Sequence, residues 1–289
     1  MLVKASMPES VWYMLLSALG FALMAACVKS AHGLGIPVLE IVAARAIVSV
    51  IISYADIRRK KLSPWGTNKP WLVARGAVGA LALIMVYYAV TTLPLAVATI
   101  LQYLHPVFTA ILAFIFLKER IQYSTMICIF LSLVGLGFII EPNFQHTGNL
   151  VYSWLSIGAA FLGALGSAIA YIIVKKLTRT EDSSVIIFYF PFVCIPISVF
   201  LLGHDFVMPS VTALGVLVLV GIFTQIGQVG LTKALNSADA NKAMAYSYVQ
   251  VIFSVVIGWA YFSEIPSITT MIGGLFIMIG ALTNVLWKR

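Results

Sequence analysis

"AVATILQYLHPVFTAILAFIFLKE" (residues 96–119) and "NKAMAYSYVQVIFSVVIGWAYFSE" (241–264) lie 145 positions apart and align without a gap. Ala98 falls on Ala243, Tyr103 on Tyr248 and Glu119 on Glu264. Upstream in the same register Gly76 meets Gly221 and Ala89 meets Ala234; downstream Thr125 meets Thr270 and Gly135 meets Gly280. At a shift of 146, "ALGFA" (18–22) meets "ALGSA" (164–168), and Val28-Lys29 meets Val174-Lys175. A nearly constant register over so much of the chain marks an internal duplication, with halves at 1–145 and 146–289.

Both quoted stretches are long apolar runs, and so is most of the chain. Its 289 residues are 61% hydrophobic and only 10% charged, with mean hydropathy +1.02. A soluble domain could not bury that much apolar surface. Runs of about 20 apolar residues read as membrane-spanning helices. Ten are expected, at roughly 9–31, 36–55, 70–91, 95–117, 122–141, 151–175, 184–202, 211–233, 241–262 and 266–286. The fold class is therefore an all-α polytopic membrane protein. The first run is too long for a cleavable leader and no clean cleavage site follows it. "TTLP" (91–94) and "SEIP" (263–266) are turns with proline just past a helix end. "DIRRKKLSPWGTNKP" (56–70) is the longest polar link.

Five spans per half is an odd number, so the second half enters the bilayer upside down relative to the first. Inverted repeats of this kind are the architecture of many secondary transporters. Lysine and arginine in the links set the orientation. With a cytoplasmic N-terminus, the inner segments hold sixteen: Lys4; Arg58, Arg59, Lys60, Lys61, Lys69 and Arg75; Lys118 and Arg120; Lys175, Lys176 and Arg179; Lys233 and Lys242; Lys288 and Arg289. The outer segments keep only Lys29, and Arg45 lies within a span. Both termini are thus expected in the cytoplasm, in a bacterial-type inner membrane. The net charge of +8 is a topology signal and implies no nucleic-acid partner.

Polar residues interrupt the apolar runs in a pattern. Gln102, His105 and Thr109 are spaced i, i+3, i+7 and share one helical face. The duplication maps them onto Ser247, Gln250 and Ser254. The eighth run adds Gln225, Gln228 and Thr232 at the same spacing; Tyr87 is the repeat partner of Thr232, and Tyr246 lies one turn from Gln250. Lipid offers these groups no partners, so the stripes are expected to face protein or water. Lining one central cavity accounts for the paired stripes as a set. For any single residue, gluing helices together is an equal alternative. Pro106, without a counterpart at Val251, can bend its helix beside that cavity. His105 could be a neutral hydrogen-bonding partner for cargo or a proton carrier; its mate Gln250 cannot titrate, which favours the first role.

Arg45 is the most deeply placed charge, and either meets an anionic group, is held by backbone carbonyls or Glu40, or snorkels to the interface. Lys29 is expected at the interface, and Glu119 and Glu264 as caps or gate contacts. No acidic residue stands at mid-span, which argues against an organic cation as cargo. Cys27, Cys128 and Cys194 lie in apolar runs and read as small core residues. No GxxxxGK[ST], HExxH or GxSxG motif appears, and no metal or cofactor is implied. "GHD" (203–205) reads as a polar exterior turn. An intramembrane enzyme or a membrane scaffold is the rival class.

Three stretches, "ARG" (74–76), "YYAVTTLPLAVATIL" (87–101) and "FIFLKERI" (114–121), have weaker echoes in "KALNSADANKA" (233–243) and "WAYFSEIPS" (259–267). In these motifs the chain resembles the drug/metabolite transporter superfamily in its ten-helix EamA branch. The resemblance implies a pathway between two five-helix halves, with spans 1–4 and 6–9 around the cavity and 5 and 10 more peripheral. It also implies alternating access without ATP, in a monomer or homodimer, with protons a candidate coupling ion. Members move amino acids, amines, vitamins such as riboflavin, opine-type metallophores and S-adenosylmethionine, some inward and some outward. They often carry arginine near the position of Arg45. The expected cargo here is a small organic metabolite, neutral, zwitterionic or mildly anionic; a multidrug or amine exporter is the alternative.

Overall fold

Proline and short polar side chains start most of the helices. The computed structural model of the protein describes residues 9–118, 152–238 and 246–286, with scattered helical positions between 123 and 138. Its helices are α1 (Glu9–Gly33), α2 (Val38–Arg59), α3 (Lys69–Thr92), α4 (Leu95–Gln102), α5 (His105–Leu112), α6 (Trp154–Leu177), α7 (Ser183–Leu202), α8 (Val211–Ser237), α9 (Val249–Phe262) and α10 (Ile268–Leu286). Pro37 and Pro94 stand just before α2 and α4, and Pro70 sits in the first turn of α3. There the missing N–H costs no helical bond. Ser153, Asp182 and Ser210 cap α6, α7 and α8, each accepting a backbone N–H of the first turn.

Among the described residues, seven helices are long and apolar enough to cross a membrane, counting Val97–Leu117 as one helix through α4, α5 and the π turn Ala113–Leu117. α9 and α10 are apolar but shorter over their most hydrophobic parts. Most of the expected span 122–141 lies outside the described residues, and Cys128 with it. No strand occurs among the described residues. Large apolar side chains point outward, as Phe200 does at 85% exposure, while polar ones turn in. That inside-out distribution suits a lipid solvent.

The halves interleave. α1 packs on α8 and α3 on α6; α2 packs on α7 and α8, and α3 on α7; α1 packs on α9, and α4 and α5 on α6. The two "ALG" echoes sit at the first two of these contacts. A Cβ on Gly20 would lie 2.8 Å from the backbone N of Gly227, and one on Gly166 would lie 2.8 Å from the Cβ of Ala82. Small residues let helix backbones approach this closely where no hydrophobic force drives them together.

The links gather at two ends. At one, Glu181 after α6 accepts from the backbone N–H groups of Thr67 (2.7 Å) and Asn68 (2.5 Å) before α3, and Lys60 after α2 reaches Asp182 at 3.2 Å. The link expected at 56–70 is thereby shortened, because α2 runs on to Arg59 and α3 begins at Lys69. At the other end, Glu40 accepts from the backbone N–H of Val207 at 2.9 Å, which removes it as the partner considered for Arg45. Lys29, expected at the interface, pairs with Glu264 and donates to the carbonyl of Leu93 at 3.1 Å. Arg75 is the main correction. Counted in the sequence as a link charge, it lies nearly two turns inside α3, only 3% exposed.

Candidate functional site

The fourth span breaks at its polar stripe. α4 ends at Gln102, a turn carries Tyr103 and Leu104, and α5 starts at His105. Pro106 has no N–H, so the carbonyl of Gln102, four residues back, loses its helical donor. His105 takes the place of that donor: its Nδ1 lies 2.9 Å from the Gln102 oxygen. A carbonyl only accepts, so Nδ1 carries the hydrogen and Nε2 is left as an acceptor in the neutral ring. Thr109 donates its hydroxyl back to the His105 carbonyl at 2.7 Å. Its polarity is spent within its own helix, so Thr109 does not line the cavity.

The break turns Gln102, Tyr103 and His105 toward a cavity of about 100 Å³ between the halves. Gln102 reaches Ser167 on α6 at 3.4 Å, and the Tyr103 hydroxyl donates to Gln250 on α9 at 2.6 Å. The His105 ring stands between Tyr103 and Tyr171, with centroids 5.1 and 5.2 Å away. Tyr103 also meets the hydroxyl of Ser247.

The opposite wall is cationic. Arg45 on α2 and Arg75 on α3 both lie over the Phe190 ring of α7, their guanidinium carbons 5.1 and 4.2 Å from its centroid. Arg45 donates to the Tyr87 hydroxyl at 3.2 Å, and Arg75 to the Gln228 side-chain oxygen at 3.3 Å. Glycine at position 79 makes room: a Cβ there would come within 2.2 Å of an Arg75 nitrogen. Among the described residues, no aspartate or glutamate lines the cavity. No metal-ligating cluster occurs among the described residues.

Of the residues singled out in the sequence, Arg45, Gln102, His105, Gln228 and Gln250 line this cavity together. Tyr87 stands behind Arg45, wholly buried. Gln225 points elsewhere, donating to Ser53 on α2 at 2.8 Å, as helix glue. Tyr246 is half-buried against a separate apolar cluster, and Ser247 is buried beside Tyr103. The sequence reading missed Arg75, Ser167, Tyr171 and Phe190. For Arg75 a signal existed, since Pro70 fixes the helix start five residues earlier. Ser167 and Tyr171 are spaced i, i+4 and share a face of α6. Phe190 carries no such mark in a run of aromatics.

A cavity lined by both interleaved halves fits a carrier, and comparison with known proteins decides the family. The EamA-like transporter family matches this sequence twice, over residues 9–141 and again over 154–286. The chain belongs to the EamA-like transporter family. The pseudopaline exporter of Pseudomonas aeruginosa is 30% identical over 268 residues, 92% of each chain. Mouse solute carrier family 35 member G1 is 27% identical over 96% of this chain and 78% of its own length. The S-adenosylmethionine uptake transporter of Rickettsia felis is 25% identical over 73% and 70%. A crystal structure at 17% identity superposes with a TM-score of 0.71 over 94% of this chain and 96% of the other, which shows the shared fold. This EamA-family chain is thus an integral, multi-pass membrane protein of the drug/metabolite transporter type, and a transporter of small molecules.

Proposed function

We propose that the protein is a secondary active carrier that moves a small organic metabolite across a bacterial inner membrane by alternating access, and that the Arg45–His105 cavity is its cargo site. The observation that carries this reading is the cavity itself: side chains of both halves meet in it, and contacts centred on lysines lie at opposite ends of the molecule. Lys29 and Glu264 hold one end. At the other, Lys175 donates to the carbonyls of Leu235 (3.0 Å) and Ala238 (2.8 Å). Leu93 and Ala238 are repeat mates, as are Lys29 and Lys175.

That correspondence supports two inverted repeats, 1–145 and 146–289, within ten spans. So does the packing: exchanging the halves turns the α1–α8 contact into α6–α3, and α1–α9 into α6 on α4–α5. Arg45, Arg75, Gln102, His105, Gln228 and Gln250 are the side chains proposed to meet cargo, with Tyr87 positioning Arg45. A neutral, zwitterionic or mildly anionic metabolite suits this lining. An amine exporter would have to move its cation past two guanidinium groups with no carboxylate among the described lining residues to receive it.

Counterflow in proteoliposomes tests the reading. Vesicles with the protein, loaded with a metabolite mixture, should accumulate at least one labelled component that protein-free vesicles do not. Absence of any protein-dependent flux would favour the scaffold or enzyme classes. Repeating the measurement with an imposed pH gradient would reveal proton coupling.

A further inference from the structure

Arg45 and Arg75 are the two most deeply buried charges described, 2% and 3% exposed. Neither pairs with a carboxylate among the described residues. A guanidinium has five N–H donors. Protein partners take few of them: Tyr87 and a long contact to the Met24 sulfur at 3.9 Å for Arg45, and Gln228 for Arg75. The Nε atoms of both are buried without any partner. Leaving two like charges in one low-dielectric cavity is costly unless something neutralises them. Both lie over the ring of Phe190, and each keeps N–H groups that no protein atom receives. Among the described residues the other wall offers two glutamines, a serine, a threonine, a histidine and tyrosines, and no carboxylate.

We propose that Arg45 and Arg75 together form an oxyanion-binding site and that the cargo is a small organic acid, its acid group between the two guanidinium groups and its apolar or aromatic remainder against Tyr103, His105 and Tyr171. This deepens the carrier reading and rests on it. The planar forks of arginine match carboxylate and phosphate alike, so the site selects acids over amines and amides. His105 presents Nε2 to the remainder of the cargo, and Gln102 and Gln250 supply the hydrogen bonds that discriminate among acids.

Thermal unfolding of the purified full chain tests the proposal, with succinate, phenylacetate and phenyl phosphate compared against succinamide, phenylacetamide and putrescine. At least one acid should raise the melting temperature by roughly 3 °C or more, while the matched amide and the amine do not. Arg45→Gln and Arg75→Gln should each abolish that rise, and Arg75→Lys should keep part of it. Which acid acts tells carboxylate from phosphate. If amides or putrescine stabilise as well as acids, if no acid stabilises, or if the rise survives in both Gln variants, the oxyanion site is overturned. Should a Gln variant not fold, the acid-against-amide comparison in the unaltered protein still decides. The carrier reading fails separately: vesicles that move a neutral compound such as uridine, with Arg45→Gln unimpaired, would sink the oxyanion site and leave transport standing.

Discussion

At the scale of single residues, His105 and Pro106 work as a unit. Proline opens the helix by removing a donor, and histidine caps the carbonyl so exposed. An uncapped buried carbonyl costs about 1–3 kcal/mol. His105→Leu should therefore lower stability by that order and lose most transport, whereas His105→Gln, whose amide can donate to the same oxygen, should keep measurable transport. Normal transport by the Leu variant would show the cap to be dispensable. If His105→Gln lost pH-driven uptake but kept cargo exchange, the histidine would be a proton carrier. The polar stripe was legible in the sequence because amides, hydroxyls and histidine stand out in an apolar run. Which of its members face the cavity was not. Thr109 shares their face yet bonds its own backbone, and Gln225 turns to Ser53. Spacing fixes a face but not the rotamer or the neighbour that claims it.

At the scale of elements, the helix contacts follow the duplication. Gly20 lets α1 approach α8 until backbones touch, so Gly20→Leu should separate the two helices. Small-to-large changes in packed sites cost about 1–3 kcal/mol, and the variant should melt several degrees lower; an unchanged melting temperature would mean that the close approach is not needed. Glu181 pins the link before α3. Burial opposes its charge, but hydrogen bonds from the Thr67 side chain and from the backbone N–H groups of Asn68 and Thr67 outweigh it and hold the carboxyl below its ordinary 4.5. A depressed folded-state pKa gives stabilisation that is present above about 4.5 and fades as pH falls through the lower folded value. Protection of the Thr67 and Asn68 amides against hydrogen exchange should fall as pH drops through that lower value in the native protein, and already at neutral pH in Glu181→Ala. Equal protection in the variant would mean that the link is held by other contacts.

The Lys29–Glu264 pair belongs to the same scale, because it ties the end of α1 to the α3–α4 and α9–α10 turns. Glu264 also accepts the Leu95 N–H at 2.8 Å. Its replacement by Gln keeps that acceptor and loses the ion pair. In a cysteine-free background, Ser167→Cys in the cavity should then react several-fold faster with an impermeant thiol reagent added on the Lys29 side. The charge swap Lys29→Glu with Glu264→Lys should not restore closure, since lysine cannot accept from Leu95. An unchanged labelling rate in Glu264→Gln would remove the pair as a gate.

At the scale of the whole molecule, the alternation of links and the orientation are separate matters. Residues 60–68 and 178–182 touch, so they share one side; residues 36–40 and 203–210 meet through Glu40 and Val207, so they share the other. The sequence predicts the same grouping from apolar run lengths alone, because each span is one bilayer thick. Its charge ledger needs amendment, since Arg75 lines the cavity and Lys175 is held by the carbonyls of Leu235 and Ala238. Without these two the bias is still fourteen to one, and lysines and arginines near span ends are what set orientation. Reporters inserted within 60–68 and fused after residue 289 should therefore both read as cytoplasmic, and reporters within 142–150 or 203–210 as exterior. A C-terminal reporter on the side opposite 60–68 would mean an odd number of spans between them, which would sink the ten-span count and the inverted repeat with it. A uniformly reversed pattern would keep both and overturn only the orientation, placing the Lys29–Glu264 contact at the cytoplasmic mouth.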